Sequence, residues 1–106
     1  MMEGKNTVFE RVDCIRIYVP DLESGLDYYH NKLGMKIAWK SKTAIGLLMH
    51  DKNTEIVIQN EHKRQETDIK VKSVLQICEI IKISCGKIKS EPFDIEIGKC
   101  AIVEDP

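Results

Sequence analysis

Cys14, Arg16 and Tyr18 occupy every second position of one short stretch, and Glu55, Val57 and Gln59 do the same in another. In an extended chain this spacing puts each trio on one face of its strand. A guanidinium such as that of Arg16 can clamp a carboxylate or phosphate with two parallel hydrogen bonds. The Tyr18 phenol can donate a hydrogen bond or stack. Glu55 would suit general-base work if burial raised its pKa. Cys14 would suit thiolate chemistry if Arg16, on the same face, depressed its pKa. Each residue also has a plainer reading. Cys14 is then a small hydrophobe lining a sheet, Arg16 is paired internally with Glu55 or Glu66, and Glu55 is a solvated strand carboxylate. The three histidines, His30, His50 and His62, do not cluster in sequence. Only His50, at the end of an apolar stretch, is placed to reach the face of Cys14. Trp39, the only tryptophan, can wall a ligand pocket or serve as core or interface.

The elements that position these residues are marked in the chain. The alternation of Ile15, Ile17 and Val19 against Cys14, Arg16 and Tyr18 predicts a strand that Pro20 ends. Asp21 is placed to cap a helix, and Leu22, Leu26, Tyr29 and Leu33 form one apolar stripe along it. Gly34 suits the left-handed position that closes a helix. Three strands are expected next. Met35–Lys40 carries Met35, Ile37 and Trp39 on one face. Thr43–Met49 is almost continuously apolar, and Thr54–Gln59 alternates, with Asp51-Lys52-Asn53 as a turn between them.

The order then repeats. Asp68–Lys72 reads as a strand with Ile69 and Val71 on its apolar side. Ser73 opens a helix running to about Cys85, with Val74, Ile77, Cys78 and Ile81 inward and Gly86 as its end. Short strands follow at Lys87–Lys89, Phe93–Ile97 and Cys100–Val103. The expected organisation is an N-terminal arm over 1–11, a βαβββ module over 12–60, a polar linker over 61–66, and a second module over 67–106 that lacks a counterpart of its last strand. An edge left open in this way favours association with another chain.

Composition narrows the function. The 106 residues carry 16 Lys and Arg against 17 Asp and Glu, interleaved along the chain, for a formal net charge of −1. No whole-protein field attracts nucleic acid or anionic lipid, so neither is an expected partner. No apolar stretch has the length of a membrane span. The four cysteines form no C-x-x-C pair, and the start of the chain has no secretory apolar region. Reduced thiols and a cytoplasmic location are expected.

The stretch from Val19-Pro-Asp21 through Leu26-Asp-Tyr-Tyr29 to Lys32-Leu-Gly-Met35 resembles the first module of the vicinal oxygen chelate superfamily, which includes glyoxalase I, bleomycin-resistance proteins and extradiol dioxygenases. Gly98-Lys-Cys-Ala-Ile-Val-Glu-Asp-Pro106 is similar to a strand of the same superfamily that leads into an Asp-Pro turn. The resemblance implies an α+β fold of paired βαβββ modules, with a curved, cup-like mixed sheet and helices on its convex side. It implies a small-molecule site on the concave face, here supplied by Arg16, Tyr18, Glu55, Gln59 and Lys70. In metal-using members, ligands come from the strands that face the cup. The matching positions are Cys14, Val57 and the neighbourhood of Glu66, and this set departs from the metal pattern. The reading is therefore a small-molecule binder like the bleomycin-resistance branch, working as a homodimer, with no cofactor. The alternative is a glyoxalase-like lyase or isomerase that removes a proton next to a carbonyl. A divalent metal would then be held by Glu55, Glu66 and His50 together with residues from a missing strand or a second subunit.

Overall fold

The computed structural model describes residues 8–106. Its elements run β1 (Phe9–Tyr18), α1 (Leu22–Leu26) passing directly into a π-helical segment (Asp27–Lys32), β2 (Lys36–Lys40), β3 (Ala44–Leu48), β4 (Glu55–Gln59), β5 (Glu66–Val71), α2 (Val74–Ile83), β6 (Lys87–Ile95) and β7 (Gly98–Glu104). The fold is α+β. It divides into two compact units, one of Arg11–Lys70 and one of Val71–Pro106 with the stretch up to Glu10. The arm expected over 1–11 lies mostly outside the described residues, and from Phe9 onward the chain is already strand β1. β5 begins at Glu66, inside the stretch expected to be linker.

The first unit is built on a five-stranded sheet of order β2-β3-β4-β1-β5. β1 and β4 run parallel, with Ile15 beside Ile56 and Ile17 beside Ile58. β3 joins β4 antiparallel, with Ile45 opposite Ile58 and Leu47 opposite Ile56. These residues share a face, and Leu22, Leu26, Tyr29 and Met35 pack on it around Ile45, Leu47 and Ile58. β3 is buried on both faces, which its nearly unbroken apolar run implied. The helix lies close to the sheet at Gly25, where a Cβ would meet Ile58 and Val19 at 3.2 Å.

Two expectations fail here for local reasons. Leu33 was expected in the helix stripe but is 56% exposed. The π-helical segment Asp27–Lys32 puts more residues into each turn, so the stripe rotates away from the sheet after Tyr29. Ile37 and Trp39 were expected on one face but sit on opposite ones. Ile37 pairs with Leu47 and Trp39 with Gly46, because the register slips between them. An extra residue in one strand reverses the faces beyond it.

In the second unit, α2 is capped by the Ser73 side chain, which accepts from the Gln76 amide, and it buries Ile77 and Cys78. Gly86 was expected to end this helix, and the left-handed residue that follows the helix is its neighbour Cys85, at φ 68°. Gly86 is needed for space instead, since a Cβ there would meet Ile81 Cγ2 at 2.6 Å. The strands expected at 87–89 and 93–97 are one strand, β6, which pairs with β7 through two register irregularities. Ile97, expected in a strand, is 88% exposed in the turn between them.

Candidate functional site

The face of the first unit's sheet opposite α1 carries the alternate residues of β1 and β4. The register arranges them in rows. Cys14 lies beside Glu55, Arg16 beside Val57, and Tyr18 beside Gln59. β3 extends the rows with Leu48 next to Glu55, Gly46 next to Val57 and Ala44 next to Gln59. β2 adds Trp39 beside Gly46. On β5, Asp68 reaches Cys14, and strand alternation places Glu66 and Lys70 on the side of Asp68. The face-sharing expected of Cys14, Arg16, Tyr18, Glu55, Val57 and Gln59 is thus found.

Each side chain is committed differently. Cys14, Ala44 and Val57 are buried together as an apolar centre. The Cys14 thiol donates to Asp68 Oδ2 at 3.3 Å. Burial, reinforced by the adjacent Asp68 carboxylate, pushes its pKa from 9.0 up to about 12, against a smaller lowering by Arg16. Cys14 is therefore a neutral thiol, and of its two readings the small hydrophobe lining the sheet is the one its burial supports. Gln59 is 1% exposed. Its Nε2 donates to His62 O at 2.6 Å, and its Oε1 accepts from the Glu61 and His62 amides, both at 2.8 Å. Its amide secures the turn after β4 and has little capacity left for a ligand.

Glu55 accepts from the Trp39 indole, Nε1 to Oε1 at 2.8 Å. This crossing spans β3 and passes over Gly46, where a Cβ would collide with the indole ring. The Glu55 carboxylate is thus drawn toward β2. Arg16 is half-buried and makes no hydrogen bond or ion pair with another described residue. The internal pair with Glu55 or Glu66 is not present. Tyr18 is half-buried too, while Lys70 is exposed. His30, outside this face, bonds the Met35 carbonyl through Nδ1 at 2.6 Å, and His50 is exposed in the turn after β3.

Sequence reasoning missed Asp68 and Gly46 as members of this face, and it offered Trp39 as a pocket wall without placing it here. Asp68 was legible, since it falls between Glu66 and Lys70 in the β5 alternation. Gly46, inside an apolar strand, was a signal of close approach by another group. The bulge that turns Trp39 onto this face left no mark in the sequence.

The positions that the resemblance assigns to a metal do not fit one. Val57 has no donor atom and is 1% exposed within the apolar centre, and Cys14 is a protonated thiol held by Asp68. Metal ligands from cysteine must be deprotonated. Among the described residues, no three His, Cys, Asp or Glu side chains are grouped to hold a metal ion, so Glu55, Glu66 and His50 do not assemble one.

An α+β unit with a helix on one sheet face and polar strand residues on the other is what the superfamily resemblance implied. The chain belongs to the Glyoxalase/Bleomycin resistance protein/Dioxygenase superfamily, whose profile matches residues 11–106. No curated protein matches it significantly. Among solved structures, the crystal structure of a hypothetical protein from Bacillus halodurans C-125 is similar, with a TM-score of 0.75 at 15% sequence identity, over 89% of this chain and 83% of that one. At this identity the likeness is one of fold. No helix among the described residues is long and apolar enough to cross a membrane.

Proposed function

We propose that this chain binds a small anionic molecule through Arg16 and its neighbours on the sheet face opposite α1, in the manner of the bleomycin-resistance branch of its superfamily, and performs no metal chemistry there. The observation that carries this reading is the state of Arg16. Cys14, Glu55 and Gln59 each have an internal partner, whereas the Arg16 guanidinium has none among the described residues. A half-buried cation without a counter-ion is costly, and a bound oxyanion removes that cost. Tyr18, next along the same face, is available as a second donor. Glu66 and Lys70 border the face from β5, where they tune charge and are not expected to touch the reactive part of a ligand.

The functional unit is a homodimer in the cytoplasm. Among the described residues the β6–β7 pair is a two-stranded sheet of its own with open outer edges, and Phe93, Ile95, Ile102 and Val103 are each about 40% exposed on it. Such edges favour pairing with a second copy. All four cysteines are free, which suits a reducing compartment. Calorimetric titration of a panel of small carboxylates and phosphates tests the assignment of the site. Arg16→Ala should weaken any ligand found by about 1.5–3 kcal/mol, and an unchanged affinity would remove Arg16 from the site.

A further inference from the structure

We infer that Trp39 is a positioning residue for this face: by holding Glu55 it keeps that carboxylate off Arg16, and so leaves the guanidinium open to a ligand carrying a single carboxylate. The inference rests on the reading that Arg16 receives the ligand. Arg16 and Glu55 lie on adjacent parallel strands, and their backbone partners are Val57 and Cys14. They are therefore diagonal neighbours on one face, close enough for long side chains to meet. Left to themselves, a half-buried Arg and Glu at this offset would pair. They do not, because Glu55 is engaged from the other side. The Trp39 indole passes over Gly46 and donates to Oε1 at 2.8 Å.

Three separate features make that reach possible: the bulge that turns Trp39 onto this face, the absent side chain at Gly46, and the register that sets Glu55 one row away. The charges on the same face select the ligand. Glu55 lies on the diagonal from Arg16, and Asp68 bonds Cys14 two residues before it, so a doubly charged phosphate meets more repulsion than a monocarboxylate. The ring of Trp39, 39% exposed, favours a carboxylate with a flat apolar body, such as benzoate.

Benzoate is the probe, and the Arg16 Nε–H resonance in the NMR spectrum of the full chain is the readout. In the wild-type protein benzoate should shift this resonance saturably, and inorganic phosphate should bind more weakly. Trp39→Phe removes the N–H donor but keeps a ring over Gly46. It should weaken benzoate about threefold, as Glu55 turns to Arg16, and adding Glu55→Gln should restore the affinity. If Trp39→Phe is unfolded, Trp39→Leu takes its place in the stability cycle. A stability cycle of Arg16→Ala with Glu55→Gln needs no ligand: its coupling should be absent in the wild type and appear once Trp39 is replaced. An unchanged coupling, or a double variant as weak as Trp39→Phe alone, overturns the positioning role. No saturable benzoate shift at Arg16 overturns the anion site, while the stability cycle still decides what Trp39 does. Phosphate binding as tightly as benzoate overturns the monocarboxylate class.

Discussion

Cys14 donates its thiol hydrogen to Asp68 Oδ2 at 3.3 Å, and this contact joins β1 to the edge strand β5. The pair determines how the thiol behaves. An unfolded cysteine ionises near 9.0, whereas in the folded chain burial and the Asp68 carboxylate hold Cys14 protonated to about 12.

The pH dependence follows from that difference. The folded pKa is raised, so the stability associated with Cys14 is fully present below pH 9. It is lost as pH rises from about 9 toward 12, because the unfolded chain releases a proton that the native state retains. Urea unfolding at pH 8 and pH 10.5 should show a fall in midpoint that Cys14→Ala largely abolishes. An equal fall in both proteins would mean that other groups cause it.

Asp68→Asn should leave Cys14 buried but remove the repulsion from the carboxylate. The thiol pKa should drop, yet stay above its ordinary value, since burial is the larger cause. Alkylation by iodoacetamide, followed by mass spectrometry, is the measurement. At pH 8 the exposed Cys85 should react first in both proteins, and Cys14 should react faster in Asp68→Asn than in the wild type.

Gly46→Ala should expel the Trp39 indole, because the added Cβ occupies the ring's position on β3. The cost of such overpacking is about 1–3 kcal/mol. Trp39 is the only tryptophan, so intrinsic fluorescence reports on it alone. A red-shifted emission in the variant is expected, and an unshifted spectrum with wild-type stability would show that the ring does not rest on Gly46.

Gln59→Leu keeps the buried volume but strips three hydrogen bonds from the turn after β4. The expected loss is about 1–3 kcal/mol, measured by urea unfolding. Amide exchange at Glu61 and His62 should quicken more than exchange within β4. Uniform acceleration across the sheet would assign Gln59 to the core rather than to the turn.

Ser73→Ala should cost about 1 kcal/mol, since its side chain satisfies the Gln76 amide at the start of α2. The second unit's helix should fray before the first unit's sheet does, and residue-resolved exchange separates the two.

The homodimer is checked by light scattering. A mass of two chains at micromolar concentration is expected, and charged substitutions at Ile102 and Val103 should shift it toward one chain. A monomer at every concentration tested would remove the second copy from the proposal.

The strand–Pro–Asp–helix–Gly series at Ile15–Gly34 was sufficient for the first βα unit, because Pro20, Asp21 and Gly34 act through local backbone chemistry. Strict alternation in β1 and β4 was likewise sufficient to place Cys14, Arg16 and Tyr18 with Glu55, Val57 and Gln59 on one face, since a period of two admits only two faces. Partnership was not local, and the sequence left it open. Whether Arg16 meets Glu55 depends on Trp39, two strands from Glu55 and three from Arg16, and Trp39 reaches Glu55 only because β2 bulges and β3 is bare at Gly46. The protonation of Cys14 depends on Asp68, 54 residues along the chain, and on burial beside Ala44 and Val57. Leu33 leaves the helix stripe because a π-helical segment winds differently from the α-helix that its spacing assumed. Side-chain periodicity records which face a residue takes where no bulge intervenes, as in β1 and β4 but not in β2. The charge it carries there, and the partner it keeps, come from strand order, register and packing.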